Sequence, residues 1–181
     1  IQISLGAVYD AQHNVHLVDA SPRYKEIEDI VDGTQRKVLI FVTITSVIHV
    51  MLKHLQAAWK KDGVPYRAGF INGEVAPSKR PALIRDFEAD PNFKVMFADP
   101  QATAHGINEF VCADTVVWAS ATDKAELWIQ GNRRVRRPGQ KYPTTCFQIV
   151  SNKLEEEIFD RLETNTGMQG LMLDAIREGK F

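Results

Sequence analysis

Four arginines fall within positions 133–137, in the stretch Gln130-Gly131-Asn132-Arg133-Arg134-Val135-Arg136-Arg137-Pro138-Gly139-Gln140, which holds no acid. The residues before it, 123–129, have apolar spacing that predicts an amphipathic helix entered from Thr122 as N-cap. The arginines therefore ride the end of a helix and the loop after it. Arg134 and Arg137 stand three apart, which puts them on one face. Two guanidiniums with fixed, forked donors suit a polyphosphate. The alternative is a solvated basic helix end that complements the helix dipole.

Such groups need a frame, and the chain supplies one by alternation. Apolar runs at 37–42, 66–71, 93–98, 114–118 and 144–150 have strand length. Between them lie helical patterns: one opened by Ser21-Pro22, one from Val47 to Trp59, one after Pro77-Ser78 and the one entered from Thr122. Asn152 and Glu155 have the spacing of a capping box for a further helix, which Gly167 is expected to break before a last one over 168–176. Residues 99–109 read as polar and irregular. This alternation predicts an α/β fold, a mostly parallel sheet with helices on both faces. Residues 21–181 form one domain in this reading, and residues 1–20 an N-terminal extension or arm packed on it. Loops at the carboxyl ends of parallel strands are where such folds bind ligands. Those loops here are 43–45, 72–74 and 99–108.

Composition bounds the rest. Of 181 residues 44% are apolar and 25% charged, and the net charge is -1, so the basic run is local and the chain is not a polycation. No apolar run approaches the length of a membrane span and no signal-peptide pattern opens the chain, so no membrane partner is expected. Cys112 and Cys146 have apolar flanks and read as reduced core thiols of an intracellular protein. The chain begins at Ile1 rather than methionine, which suggests a fragment or a processed product.

On these residues the chain resembles the second, C-terminal RecA-like domain of superfamily 2 helicases, Swi/Snf type, especially phage and bacterial members. Residues 37–41 with 43–46 resemble motif IV, and Pro100 to Asn108 resembles motif V. Ala113 to Trp118 resembles the strand after it, and Gln130-x-x-x-Arg134-x-x-Arg137-x-Gly139-Gln140 resembles motif VI with its Gly-Gln ending. The resemblance covers roughly residues 5 to 178. Ala104 stands where motif V usually has another glycine, and Arg133 where relatives usually have Asp or Gly.

The resemblance implies a RecA-like parallel sheet and a share in ATP hydrolysis on nucleic acid. Arg134 and Arg137 would be arginine fingers, and Gln130 would position the attacking water or contact the γ-phosphate. Gly106 and Asn108 would join the two arginines in nucleotide binding, at the junction with nucleic acid. Thr43, Thr45, Asn72, Gly73 and Thr103 would contact nucleic acid. Its first expectation is double-stranded DNA, with RNA or single-stranded DNA as alternatives. ATP and Mg²⁺ would be held mainly by an N-terminal RecA-like domain preceding Ile1, because the sequence has no G-x-x-x-x-G-K-[ST] loop. The fragment alone is then expected to be inactive.

Other residues read as structure. Trp59, Trp118 and Trp128 suit core or interdomain packing, and residues 155–157 are acids at a helix start, where the dipole favours them. His105 has no catalytic role in this reading, and the sequence leaves Arg80 open. Two rivals stand beside the motor half. One is a non-enzymatic module binding nucleic acid through the patch 133–141. The other, ranked last, is a small-molecule α/β enzyme, for which no glycine-rich strand–helix turn or nucleophile–base pair is evident.

Overall fold

Residues 2–20 fold ahead of the sheet, in a computed structural model that describes residues 2–12, 14–104 and 110–177. A short helix, α1 (Gln2–Leu5), leads into an antiparallel hairpin of β1 (Ala7–Tyr9) and β2 (Val15–Leu17). Leu5 and Ala7 are buried in the core of the following domain. The arm thus packs on the domain through its apolar residues.

Next comes α2 (Ser21–Gly33), with Pro22 in its first turn, where a missing N–H costs nothing. Ala20, not Ser21, is its N-cap, because the Ser21 hydroxyl donates instead to Asp19. β3 (Lys37–Phe41) follows, then α3 (Thr45–Asp62), closed by Gly63 in a left-handed conformation. β4 (Arg67–Ile71), a 3-10 turn at Pro77–Lys79 and α4 (Arg80–Ala89) come next, then β5 (Phe93–Ala98) and α5 (Pro100–Ala104). β6 (Ala113–Trp118), α6 (Ala125–Arg133), β7 (Thr145–Gln148) and α7 (Lys153–Arg177) complete the chain.

β3 to β7 form one parallel sheet in the order β4-β5-β3-β6-β7. β3 is central because its apolar run suits burial on both faces. Period-two alternation sends Val38 and Ile40 to one core with α2 and α3, and Leu39 and Phe41 to the other with α4, α6 and α7. The predicted α/β sheet with helices on both faces is what forms.

Local departures have local causes. α6 begins at Ala125, two residues later than expected. Thr122 Oγ1 accepts Lys124 N–H at 3.3 Å, a turn that delays the helix. Within the stretch read as irregular, Asp99 Oδ1 accepts Gln101 N–H at 2.8 Å, and Pro100 starts α5. Gly167 does not break α7, since one helical glycine costs only about 1 kcal/mol. The capping box forms in part. Asn152 Oδ1 accepts Glu155 N–H at 3.0 Å, but the Glu155 carboxylate returns to Ser151 N–H at 2.9 Å. That carboxylate is fully buried and pairs with buried Arg23 of α2. Arg23 also donates to the carbonyls of Ala119 and Ile149, just past β6 and β7. Glu155 is therefore structural, and its pair with Arg23 ties α2, β6, β7 and α7 together.

Candidate functional site

The position of α6 decides where the arginines stand. A column of aromatic rings supports it. Phe41 stacks on Trp118 at 4.5 Å, Trp118 lies 4.7 Å from Trp128, and Trp128 lies 5.5 Å from Phe159. Each such pair contributes about 1 kcal/mol beyond area burial. Gly131 lets the helix approach closely, since a Cβ there would meet Trp118 at 2.8 Å and Phe41 at 3.0 Å. Asn132 Oδ1 accepts the Trp118 indole N–H at 3.0 Å, which fixes the rotation of α6 about its axis. Trp118 and Trp128 are core residues as expected, and so is Trp59.

α6 stops at Arg133, so Arg134 and Arg137 are set by the helix end and the turn beyond, not by an uninterrupted helical face. Arg134 is only 7% exposed and donates from Nη2 to the Thr103 carbonyl at 2.8 Å. Burial, and the neighbouring positive charge of Arg137, push its pKa down. Arg137 is exposed. The Arg137 charge is therefore near enough to act on Arg134, which is itself bonded to α5. Gly139 has φ 104°, a left-handed turn that folds Gln140 back under the loop. Gln140 Nε2 lies within hydrogen-bond reach of the carbonyls of Ala113 at 2.8 Å and of Val111 and Val135 at 3.2 Å. Gln140 thus clamps the arginine loop to the start of β6. Gln140 was legible only as a motif letter, and Asn132 fell at an unspecified motif position; for Gly131, a glycine inside a helical pattern was the one direct signal.

Gln130 sits one turn before Arg134. Its Nε2 donates to Glu126 at 2.8 Å, and its Oε1 is buried without a hydrogen-bond partner. A buried, orphaned acceptor is costly, of order 1–3 kcal/mol. It is the kind of group that a ligand or a bound water satisfies.

The carboxyl edge of the sheet holds the remaining site residues. Thr43 is exposed after β3, its hydroxyl 3.2 Å from that of Ser120 after β6. Thr45 opens α3, and no side chain caps that helix start. Thr43 lines a cleft of about 240 Å³ with Asp99, Gln101, Thr122, Lys124 and Leu127. Gly73 is exposed, with open space where a Cβ would stand. Asn72 and Thr103 differ: both are buried with their side chains engaged. Asn72 bonds Glu74 through Oδ1 and Nδ2, and the Thr103 hydroxyl bonds the carbonyls of Asp99 and Pro100. Their side chains therefore shape the loops that present Gly73 and hold Arg134. Gly106, Asn108 and His105 lie outside the described residues. Among the described residues, no group of three or more His, Cys, Asp or Glu could hold a metal ion.

The basic patch divides between two directions. Arg133 and Arg136 line a separate groove of about 450 Å³ with Trp128, Cys146, Gln148 and Glu163, and Arg136 Nε donates to Thr144 at 3.0 Å. Arg134 turns to α5 instead, through the Thr103 carbonyl. Cys112 and Cys146 are free thiols, and burial raises each to about 11.

Known proteins resemble the chain as follows. No protein-family profile matches it. It is 26% identical over 144 residues to human DNA repair and recombination protein RAD54B, which covers 76% of the chain and 15% of the relative. To an uncharacterised ATP-dependent helicase of Mycoplasma pneumoniae it is 30% identical over 130 residues, 68% of the chain and 12% of the relative. To a mouse SWI/SNF-related regulator of chromatin it is 25% identical over 139 residues, 76% of the chain and 13% of the relative. The chain thus spans less than a sixth of the length of each of these three. In structure it is similar to the C-terminal part of the Fun30 ATPase domain, with TM-score 0.65 and 24% identity, over 78% of this chain and 43% of that one. It is also similar to the C-terminal domain of the DEAD-box protein Dbp5, with TM-score 0.64 and 19% identity, over 81% of this chain and 79% of that one. The fold is that of a RecA-like helicase C-terminal domain. By their names these relatives include an ATP-dependent helicase and a SWI/SNF-related regulator of chromatin.

Among the described residues, no helix is long and apolar enough to cross a membrane.

Proposed function

We propose that the chain is the C-terminal motor half of an ATP-dependent DNA translocase or helicase of Swi/Snf type, with residues 21–181 as its domain and residues 1–20 as an arm. The observation that carries this reading is the pairing of Arg134, buried and bonded to α5, with Arg137, exposed three residues on. Arg134 is anchored to Thr103 and Arg137 projects from a loop clamped by Gln140. Such guanidiniums neutralise charge that develops on a γ-phosphoryl group held by another domain. In this reading that domain is an N-terminal RecA-like one that binds ATP and Mg²⁺, and Gln130 turns its orphaned Oε1 toward the attacking water. Gly106 and Asn108 belong to the same nucleotide contact. Double-stranded DNA lies across the carboxyl edge at Thr43, the start of α3 and Gly73, in an intracellular protein. Affinity with phage and bacterial members rests on the motif pattern alone.

A nucleic-acid module built on the patch 133–141 fits less well, because the patch does not present one surface. Arg134 is buried, and Arg133 and Arg136 line a groove whose lining does not include Arg137.

The test is ATP turnover with saturating DNA in the protein that contains the ATP-binding domain. Arg137→Ala leaves ATP affinity nearly intact and lowers kcat by on the order of 10³-fold. Arg137→Lys rescues little, since an ammonium cannot copy the planar fork. Arg136→Ala, removing a charge from the neighbouring groove, costs far less. Equal losses from Arg136→Ala and Arg137→Ala would show bulk charge at work and overturn the assignment.

A further inference from the structure

α5 has five residues, so its last carbonyls have no partners within the helix. Two arginines from distant parts of the chain meet that need. Arg80 Nη1 donates to the Ala102 carbonyl at 2.6 Å, and Arg134 Nη2 donates to the next one, Thr103, at 2.8 Å. The rest of the Arg80 fork turns the other way. Its Nε reaches the Val75 carbonyl at 3.0 Å and its Nη2 the Asn72 carbonyl at 3.2 Å. These two carbonyls bracket Gly73, the exposed backbone of the loop after β4. A chain of bonds therefore runs from the Gly73 loop through Arg80 to α5, and from α5 to Arg134.

We infer that Arg80 is a positioning residue, a latch that makes the 72–75 loop and α5 one rigid unit and so couples occupancy of that loop to the placement of Arg134. The planar fork is what the role requires. One guanidinium serves carbonyls on two elements at once, where a lysine ammonium offers a single point charge. The coupling has a physical carrier, since α5 is gripped at adjacent carbonyls by the loop side and by the nucleotide side. This inference rests on the motor reading for its functional consequence, though the latch itself is a property of the fold.

Hydrogen exchange on the full chain tests the latch directly. Val75 N–H bonds the Asn72 carbonyl, and Thr103 N–H bonds the Asp99 carbonyl. With the latch present, both amides open as one cooperative unit with the same denaturant dependence. Independent opening in the unsubstituted chain overturns the proposal, and this measurement needs no variant to fold. In Arg80→Lys, both amides exchange about tenfold faster or more, while amides in the β5 ladder keep their protection. Acceleration at Val75 alone, or at neither, overturns it.

In the protein carrying the ATP-binding domain, Arg80→Lys lowers the DNA-driven rise in kcat by about tenfold and changes the KM for ATP by less than about twofold. A parallel loss of ATP affinity and Tm marks a merely structural role and overturns the coupling. If the unsubstituted protein shows no DNA-stimulated turnover, the motor reading fails, and the exchange data still decide the latch.

Discussion

Arg134 and Arg137 carry the same charge into different surroundings, and the difference divides their work. Arg134 is desolvated and anchored to the Thr103 carbonyl, so its geometry is set before any ligand arrives. Arg137 is exposed, and its reach is limited by the turn that Gln140 holds. Pre-set donors act on transition-state charge without reorganisation. The two thiols show the opposite use of burial. Cys112 and Cys146 are each raised from an ordinary 9.0 to about 11, chiefly by desolvation of the thiolate. At pH 8 their thiolate fraction is about a thousandth, so alkylation of the native chain runs about a hundredfold slower than of the unfolded chain. The linkage has a definite sign. A folded pKa above the unfolded one gives stability that is complete below pH 9 and is lost as pH rises through about 11. Denaturation midpoints from pH 8 to pH 11 check this. A midpoint that rises over that range, or rapid labelling at pH 8 in the folded state, contradicts it.

At the scale of elements, α6 is held by contact rather than by propensity. Gly131→Ala places a methyl against Trp118 and Phe41, both in the core. Overpacking of this kind costs about 1–3 kcal/mol, and here α6 must shift outward or the stacked rings must part. Thermal denaturation reads the stability loss, and near-ultraviolet circular dichroism reads the displaced tryptophans. A variant as stable as the original, with an unchanged aromatic spectrum, would show that the close approach is not needed.

The same element shows what the sequence discloses. The run 37–42 was legible as a strand because burial on both faces leaves no polar alternation to confuse it, though its central place in the sheet was not read from the sequence. The start of α6 was not, because Thr122 can cap a helix or turn the chain before it, and local spacing does not choose. α5 was hidden in a polar stretch because five residues carry no period, and tertiary bonds from Arg80 and Arg134 hold it. Motif spacing marked Arg134 and Arg137 as a pair. It did not disclose that Arg134 is buried, or that Asn72 and Thr103 turn their side chains inward. The burial of Arg134 depends on a partner in a distant part of the chain, and the side chains of Asn72 and Thr103 are taken up by turn bonds that compete with an outward role.

At the scale of the whole molecule, what the chain contains sets what it does by itself. In the proposed reading it carries guanidiniums for a phosphate, and it has a carboxyl edge with exposed backbone, on a chain of net charge -1. It carries no glycine-rich phosphate loop with its lysine, the element that holds a nucleotide in the ground state. Arginine fingers act late in the reaction, so they cannot substitute for that element. The chain alone is therefore expected to fold and to show no ATP turnover above background. Its DNA binding is expected to be weak and indifferent to sequence, since phosphate contacts dominate such binding. With Arg134 buried and Arg133 and Arg136 in a groove that Arg137 does not line, few cations reach phosphates together. The slope of log K against log salt should then be about -1 to -3, one unit for roughly each phosphate neutralised. A titration of duplex DNA at several salt concentrations measures it, beside an ATPase assay on the same sample. A slope as steep as about -6, or tight binding to one sequence that survives high salt, would mean that the patch itself is a nucleic-acid reader. Turnover abolished by a substitution in this chain would mean that it holds a complete site, and the half-motor reading would fall.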